Sequence, residues 1–177
     1  PINCPQLVTA PTPVLVVQPQ ATPFGTPQPS SGPLRGSIYH LASGTPRLPD
    51  FSNMEPQGVI YTRRIDIPTR RFVEGFPGVT DRFEWFALRY EGTFAIENEG
   101  LYNFRINSDD GARLLIDGQP VVDNDGIHPP QSRSGHLFLQ GGEHQMVLEY
   151  FQGPRDLITL QLFVTPPNQP EQIFEVN

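Results

Sequence analysis

Hydrophobic and polar side chains alternate with a period of two along much of the chain beyond residue 58. From Tyr102 to Asn107, in "YNFRIN", every second residue is aromatic or aliphatic and the residues between them are polar. Neighbouring side chains of a β-strand point to opposite faces, so this pattern predicts strands with one buried face. No segment places apolar residues at helical spacing over three turns. Many short strands at this spacing predict an all-β chain that forms an antiparallel β-sandwich.

Turn residues separate the predicted strands "GVIYTRRIDI", "FEWFALRY", "GTFAIEN" and "GLYNFRIN". Asp117-Gly118 supplies the two positive-φ positions of a tight turn, which predicts a hairpin over "ARLLIDGQPVVD". Gly141-Gly142 predicts a second hairpin over "HLFLQGGEHQMVLEYF". The inward positions of these strands predict a core that contains Phe104, Ile106, Leu114, Ile116, Met146, Leu148, Leu160 and Leu162.

The composition divides the chain into three parts. The first 34 residues contain nine prolines and no charged residue, which predicts that residues 1–33 form an extended arm. Residues 34–166 form the sandwich domain, and residues 167–177 form a C-terminal tail. Within the arm, Val14 to Val17 is an apolar run that packs either on its own domain or on the sheet edge of a neighbouring chain.

Charge and composition exclude several classes of function. The formal net charge of −7 argues against nucleic acid as a partner, because phosphate binding needs a basic face. No run of 18 apolar residues predicts a membrane span, and the chain does not open on a signal-peptide pattern. Cys4 is the one cysteine, so the sequence predicts a spare thiol or an intermolecular pairing. None of the common catalytic motifs is present, and we expect no enzymatic activity.

Two adjacent carboxylates, Asp109 and Asp110, precede Gly111 in "SDDGARLLIDG". In a regular strand they would point to opposite faces, so they converge on one ion only if the backbone departs from strand geometry, as it does at a cis peptide bond. A hard dication such as Ca²⁺ would suit such a pair. On spacing alone, a polar turn is the favoured interpretation, since these residue types are common in turns.

The stretch "DNDGIH" also contains closely spaced aspartates, Asp123 and Asp125, before Gly126. It matches the start of a helix-loop-helix calcium loop but has Ser134 where that loop needs a bidentate glutamate, and no helices flank it. We therefore predict a turn held by Asn and Asp side chains.

The run "FALRYEGTFAIENEGLYNFRINSDDGARLLIDGQPVVDN", with the later "GGEHQMVLEYFQGP", resembles the domain shared by anthrax protective antigen, yeast flocculins, epithelial adhesins and many bacterial glycosidases. "FVEGFPGVTDRFEWFALRYEGTF" and "DNDGIH" resemble its fibro-slime branch most. The resemblance covers roughly residues 34–166. It implies a β-sandwich at an extracellular or cell-surface location.

The resemblance also implies a site. In the adhesin branch, paired aspartates hold Ca²⁺ through a cis bond, and the ion binds sugar hydroxyls; Asp109 and Asp110 match those positions. The adhesins complete the site with an asparagine two residues after a tyrosine, and Gln152 stands there in this chain. The resemblance thus predicts Asp109, Asp110 and Gln152 as metal ligands, and predicts that Arg155 and Asp156 join them in binding carbohydrate.

The leading hypothesis is a non-catalytic, extracellular, calcium-dependent module for carbohydrate binding and adhesion, with a glycan or surface polysaccharide as partner. The alternative is a building block of a surface fibre or envelope assembly, in which residues 1–33 dock on another copy or on a neighbouring surface protein. An accessory domain of an enzyme is the third possibility.

Overall fold

The computed structural model describes residues 27–177, in which two antiparallel β-sheets pack face to face. The predicted all-β antiparallel sandwich is confirmed. Helix in the described residues consists of 3-10 turns at Pro29–Ser31, Phe51–Asn53 and Phe72–Glu74. The strands are β1 (Leu34–His40), β2 (Gly58–Thr62), β3 (Asp66–Arg71), β4 (Phe86–Ile96), β5 (Gly100–Asp109), β6 (Ala112–Ile116), β7 (Gln119–Asn124), β8 (Gln131–Leu139), β9 (Gly142–Gln152), β10 (Leu157–Thr165) and β11 (Gln172–Ile173).

The first sheet has the strand order β2-β1-β4-β9-β6-β7, and the second has the order β11-β10-β5-β8, with β3 also paired to β10. Successive strands therefore often lie in different sheets. At one side of the sandwich β7 passes close to β8, where a Cβ on Gly135 would collide with the carbonyl oxygen of Val121. Glycine at that position lets the edges of the two sheets approach each other.

The inward faces of both sheets form the core that the period-two pattern predicts. All eight residues expected there are at most 1% exposed, so the predicted register is confirmed. Along β5, Tyr102, Phe104 and Ile106 are buried, whereas Leu101 is 57% exposed on the outer face. Aromatic rings fill the centre of the core, and Phe76, Phe86 and Tyr150 contact one another edge-on or tilted.

Two turn predictions differ in outcome. Asp117 and Gly118 both have positive φ, at 48° and 77°, and connect β6 to its partner β7 as a hairpin. The hairpin predicted at Gly141-Gly142 is wrong, because β8 belongs to the second sheet and β9 to the first. The glycine pair instead carries the chain from one sheet to the other.

The segments "FEWFALRY" and "GTFAIEN" were expected to be separate strands, but β4 runs unbroken through both. Gly92 lies in the middle of β4, where a Cβ would come within 2.7 Å of the Leu34 side chain. The glycine therefore marks a close approach between β4 and β1 and does not mark a turn.

The last residues of the chain pack into the sandwich. β11 pairs with β10, Phe174 and Val176 are buried, and the Val176 amide donates to the Arg63 carbonyl at 2.7 Å. Residues assigned to a C-terminal tail thus contribute to the core. The predictions for Cys4 and for Val14 to Val17 lie outside the described residues. No helix in residues 27–177 is long and apolar enough to cross a membrane.

Candidate functional site: a buried pair of aspartates

Asp109 ends β5 and Asp110 lies just before β6, so the pair is found where the chain passes from the second sheet to the first. The peptide bond between them is cis, as expected for a converging pair. Both residues are buried, at 2% and 3% exposure. The polar turn favoured on spacing alone would leave these carboxylates in solvent, and the structure places them inside the protein.

Backbone amides from two later loops hold the Asp110 carboxylate. The Gly153 amide donates to Oδ2 at 2.7 Å, and the His128 amide donates to Oδ1 at 3.1 Å. The Gln152 amide nitrogen lies 3.5 Å from the same Oδ2 atom. Hydrogen bonds to both of its oxygens therefore fix the orientation of the Asp110 carboxylate.

Asp109 is less well satisfied. Its backbone carbonyl accepts from the Tyr150 hydroxyl at 2.7 Å. Its side-chain Oδ2 atom, however, is buried and has no hydrogen-bond partner among the described residues. A buried carboxylate oxygen without a donor is costly, so this atom marks a position where a cationic or proton-donating group would stabilise the site.

The electrostatics of the pair favour protonation. Burial, followed by the negative charges of Asp110 and Asp156, raises the pKa of Asp109 to about 7. Burial also raises the pKa of Asp110, although the backbone amides of Gly153 and His128 oppose that shift. Two carboxylates this close and this well buried repel each other unless a proton or a cation neutralises one of them.

Gln152, the third predicted ligand, is fully buried beside the pair. Its Oε1 atom lies 2.6 Å from the Tyr150 hydroxyl, and its Nε2 atom donates to the Leu157 carbonyl at 3.2 Å. In this orientation the side chain presents nitrogen, and not oxygen, to Asp110.

The structure brings Asp156 near the pair but turns Arg155 elsewhere. Asp156 is exposed, and its charge raises the pKa values of both Asp109 and Asp110. The Arg155 side chain is 70% exposed, pairs with Glu84 at 3.1 Å, and lies over the Phe72 ring at 5.4 Å. Arg155 thus lies on the same loop as Gln152 and Asp156, but its guanidinium is directed toward Glu84.

Several residues of the site were not predicted. The "DNDGIH" stretch forms the expected turn, with Asp123 accepting from the Asp125 amide at 3.0 Å, and it also delivers the His128 amide to Asp110. Gly111 is required because a Cβ there would lie 2.5 Å from the Phe151 ring and 2.7 Å from the Gly126 nitrogen. The closeness of "SDDG" and "DNDGIH" in sequence was the available signal that the two stretches meet.

The chemistry of the donors fits a hard cation. The two carboxylates supply the hard oxygen ligands that Ca²⁺ prefers, and the Gln152 side chain would add a third oxygen only with its amide in the opposite orientation. Residues 27–177 contain no group of three or more His, Cys, Asp or Glu side chains arranged to hold a metal. An ion at this pair would therefore depend on neutral oxygens to complete its coordination.

Solved structures with the same fold include an anti-sigma factor domain-containing protein, which is 25% identical over 82% of this chain, with a TM-score of 0.67. The chain spans 46% of that protein's length. The PA14 domain of the MpAFP antifreeze protein is 18% identical, with a TM-score of 0.65 over 90% of this chain and 93% of the other. The PA14 sugar-binding domain from an RTX adhesin is 22% identical, with a TM-score of 0.60 over 81% and 94%.

Comparison with curated protein sequences finds no match. The family model described as the PA14 domain matches residues 64–175, well over half of the 177-residue chain, and the chain therefore belongs to the PA14 domain family.

Proposed function

We propose that this chain is a non-catalytic, calcium-dependent carbohydrate-binding module that serves adhesion outside the cell or at its surface. The observation that carries the proposal is the buried pair Asp109 and Asp110, in which one carboxylate oxygen has no partner among residues 27–177. The sugar-binding PA14 domain of the RTX adhesin, which shares the fold, supports carbohydrate as the ligand class. Membership of the fibro-slime branch remains a prediction.

Asp109 and Asp110 would hold the calcium ion. Their two negative charges balance a dication, which removes the repulsion between them. When bound, calcium supplies coordination positions that vicinal sugar hydroxyls occupy. The Gly153 and His128 amides keep Asp110 oriented, so this carboxylate is in position before the ion arrives.

Gln152 would complete the site after its side-chain amide flips, which exchanges the positions of Oε1 and Nε2. Tyr150 has one hydroxyl hydrogen but two acceptors within reach, the Asp109 carbonyl and Gln152 Oε1. If the Gln152 amide rotates by half a turn, Nε2 donates to the Tyr150 oxygen and the hydroxyl donates to Asp109. The same rotation directs Oε1 toward Asp110, the orientation that a metal ligand needs. It also breaks the Nε2 hydrogen bond to the Leu157 carbonyl, so coordination of the ion would have to offset that loss.

Arg155 and Asp156 would contact the sugar at the mouth of the site. Both are exposed on the loop that follows Gln152, and they offer complementary donors and acceptors to hydroxyl groups. Arg155 pairs with Glu84 through Nε, so a sugar contact would have to use the Nη groups of its exposed guanidinium.

Isothermal titration with CaCl₂ tests the proposal. Wild-type protein should bind one ion, and Asp110→Asn should abolish binding because it removes a charge and one ligand oxygen. Asp81→Asn is the matched control, since Asp81 is an exposed aspartate that pairs with His40. Equal calcium binding by wild type and Asp110→Asn would remove the metal site from this pair.

A further inference from the structure

A cleft of about 620 Å³ opens on the outer face of the first sheet, and neither aspartate of the pair lines it. Three side chains from neighbouring strands form its floor, because Glu149 of β9 is opposite Arg89 of β4 on one side and opposite Arg113 of β6 on the other. The volume lies within the range of small-molecule sites.

Ion pairs hold this floor in place. Arg113 donates to Glu149 Oε2 through Nε at 3.0 Å and through Nη2 at 2.6 Å, and Arg89 Nε lies 3.7 Å from Glu149 Oε1. Glu149 is 7% exposed; hydrogen bonds from Arg113 orient its carboxylate, and Arg89 adds a second positive charge nearby. A guanidinium has five N–H groups, and Arg113 uses two of them on Glu149, which leaves three for a ligand.

Aromatic residues form one wall of the cleft. The rings of Tyr39 and Phe51 pack edge to face with their centroids 5.1 Å apart. The edge of the cleft beside this wall is formed by Asp50 and Ser52. The Asp50 carboxylate accepts from the Ser52 amide at 3.0 Å and from the Ser52 hydroxyl at 2.7 Å. The cleft therefore combines an apolar side with planar donors and acceptors that are already in place.

The charges that line the cleft cancel. Arg89 and Arg113 contribute two positive charges, and Asp50 and Glu149 contribute two negative ones. Just outside this lining, Glu91 pairs with Arg89, and two further aspartates act on Arg113, so no positive charge is left over for an anionic ligand. A neutral ligand with many hydroxyl groups finds donors, acceptors and an aromatic wall together.

The cleft lies close to the aspartate pair. Asp125 Oδ1 accepts from the Leu48 amide at 2.8 Å, at the edge of the cleft, while His128 of the same loop donates to Asp110. Arg113 follows Asp110 by three residues, so their Cα atoms lie at most about 11 Å apart.

We infer that this cleft is a second saccharide subsite, which binds a neutral pyranose ring without calcium and lies within reach of an oligosaccharide held at Asp109 and Asp110. The inference rests on the proposed function for the class of ligand. The cleft and the aspartate pair differ in their dependence on calcium. The cleft needs no ion, because it contains both the donors and the acceptors that a sugar needs.

The test is a titration of ¹⁵N-labelled full chain with methyl glycosides of glucose, galactose and mannose, followed by two-dimensional NMR in EDTA. Saturable shifts are expected at the amides of residues 48–53 and at the Nε–H groups of Arg89 and Arg113. Ser52→Trp should weaken this binding at least about tenfold by filling the cleft. Asn53→Trp is the control, since Asn53 is an exposed neighbour that does not line the cleft.

The outcomes separate the two sites. If all three glycosides leave the cleft signals unchanged in EDTA, or if the shifts survive Ser52→Trp, the subsite is refuted. Shifts confined to the Asp110 and Gly153 amides in calcium would uphold the proposed function and still refute the subsite. Cleft shifts in EDTA without any calcium-dependent binding would support the subsite and contradict the proposed function.

Discussion

Replacing Asp109 by asparagine should stabilise the protein in the absence of calcium and should remove the stabilisation that calcium gives. In the folded protein, burial and neighbouring charges raise the pKa of Asp109 to about 7, against the usual value of about 3.9 in an unfolded chain. The folded state therefore holds a proton more tightly than the unfolded state. The contribution of the protonated Asp109 carboxyl to the free energy of unfolding is fully present below pH 4 and is lost as the pH rises through 7.

The difference between these two pKa values sets the cost of ionising Asp109 in the folded protein. At 1.36 kcal/mol for each pKa unit, this cost is at most about 4 kcal/mol at pH 8. An asparagine side chain at this position would avoid the ionisation but would bury an amide that needs a partner, at a cost of about 1–3 kcal/mol. We expect Asp109→Asn to raise the free energy of unfolding in EDTA at pH 8 by about 1–3 kcal/mol.

Urea denaturation of both proteins at pH 4 and pH 8, in EDTA and in calcium, measures this effect. The advantage of Asp109→Asn should be lost at pH 4, where the wild-type carboxyl is protonated and only the cost of the buried asparagine amide remains. Calcium at 100 times its Kd should stabilise the wild type by about 2.7 kcal/mol and leave the variant unchanged. A variant that is less stable than the wild type in EDTA at pH 8 would refute the electrostatic reasoning.

Three further predictions concern the site and the core. Calcium binding should weaken about tenfold from pH 8 to pH 6 in a calorimetric titration, because Asp109, with a pKa of about 7, must lose its proton to bind the ion; a flat profile would contradict this. Gln152→Leu should weaken calcium binding and Gln152→Glu should strengthen it if Oε1 is a ligand, whereas equal affinities in the same titration would exclude Gln152. Leu148→Ala should lower the free energy of unfolding by about 2–5 kcal/mol in urea denaturation, and the exposed control Leu101→Ala should change it by less than about 0.5 kcal/mol.

The sequence predicts local features of this fold better than it predicts strand pairing. The eight core positions follow from period-two alternation, because a residue on the wrong face of a strand would expose a large apolar side chain. Asp117-Gly118 forms its hairpin since both residues must adopt positive φ. Gly141-Gly142 carries the same kind of signal but connects two sheets, and the choice between sheets depends on distant strands that local residues do not specify.

Some residues of the aspartate site can be predicted from the sequence and others cannot. The adjacency of Asp109 and Asp110 is visible in the sequence, and the family resemblance points to Gln152. The amides of His128 and Gly153 could not be predicted, because any residue except proline can supply a backbone donor and only the folded loops bring these two to Asp110. The cleft on the outer face of the first sheet draws on β1, β4, β6, β9 and the loop before β2, and therefore has no sequence signature.

A glycan array probed with the full chain in calcium and in EDTA, beside Asp110→Asn, tests the central claim most directly. The account predicts that particular glycans retain the wild-type protein strongly in calcium, and that EDTA or the Asp110→Asn substitution removes that strong binding. Wild-type protein that binds the same glycans equally well in EDTA, or that binds none in calcium, would contradict it.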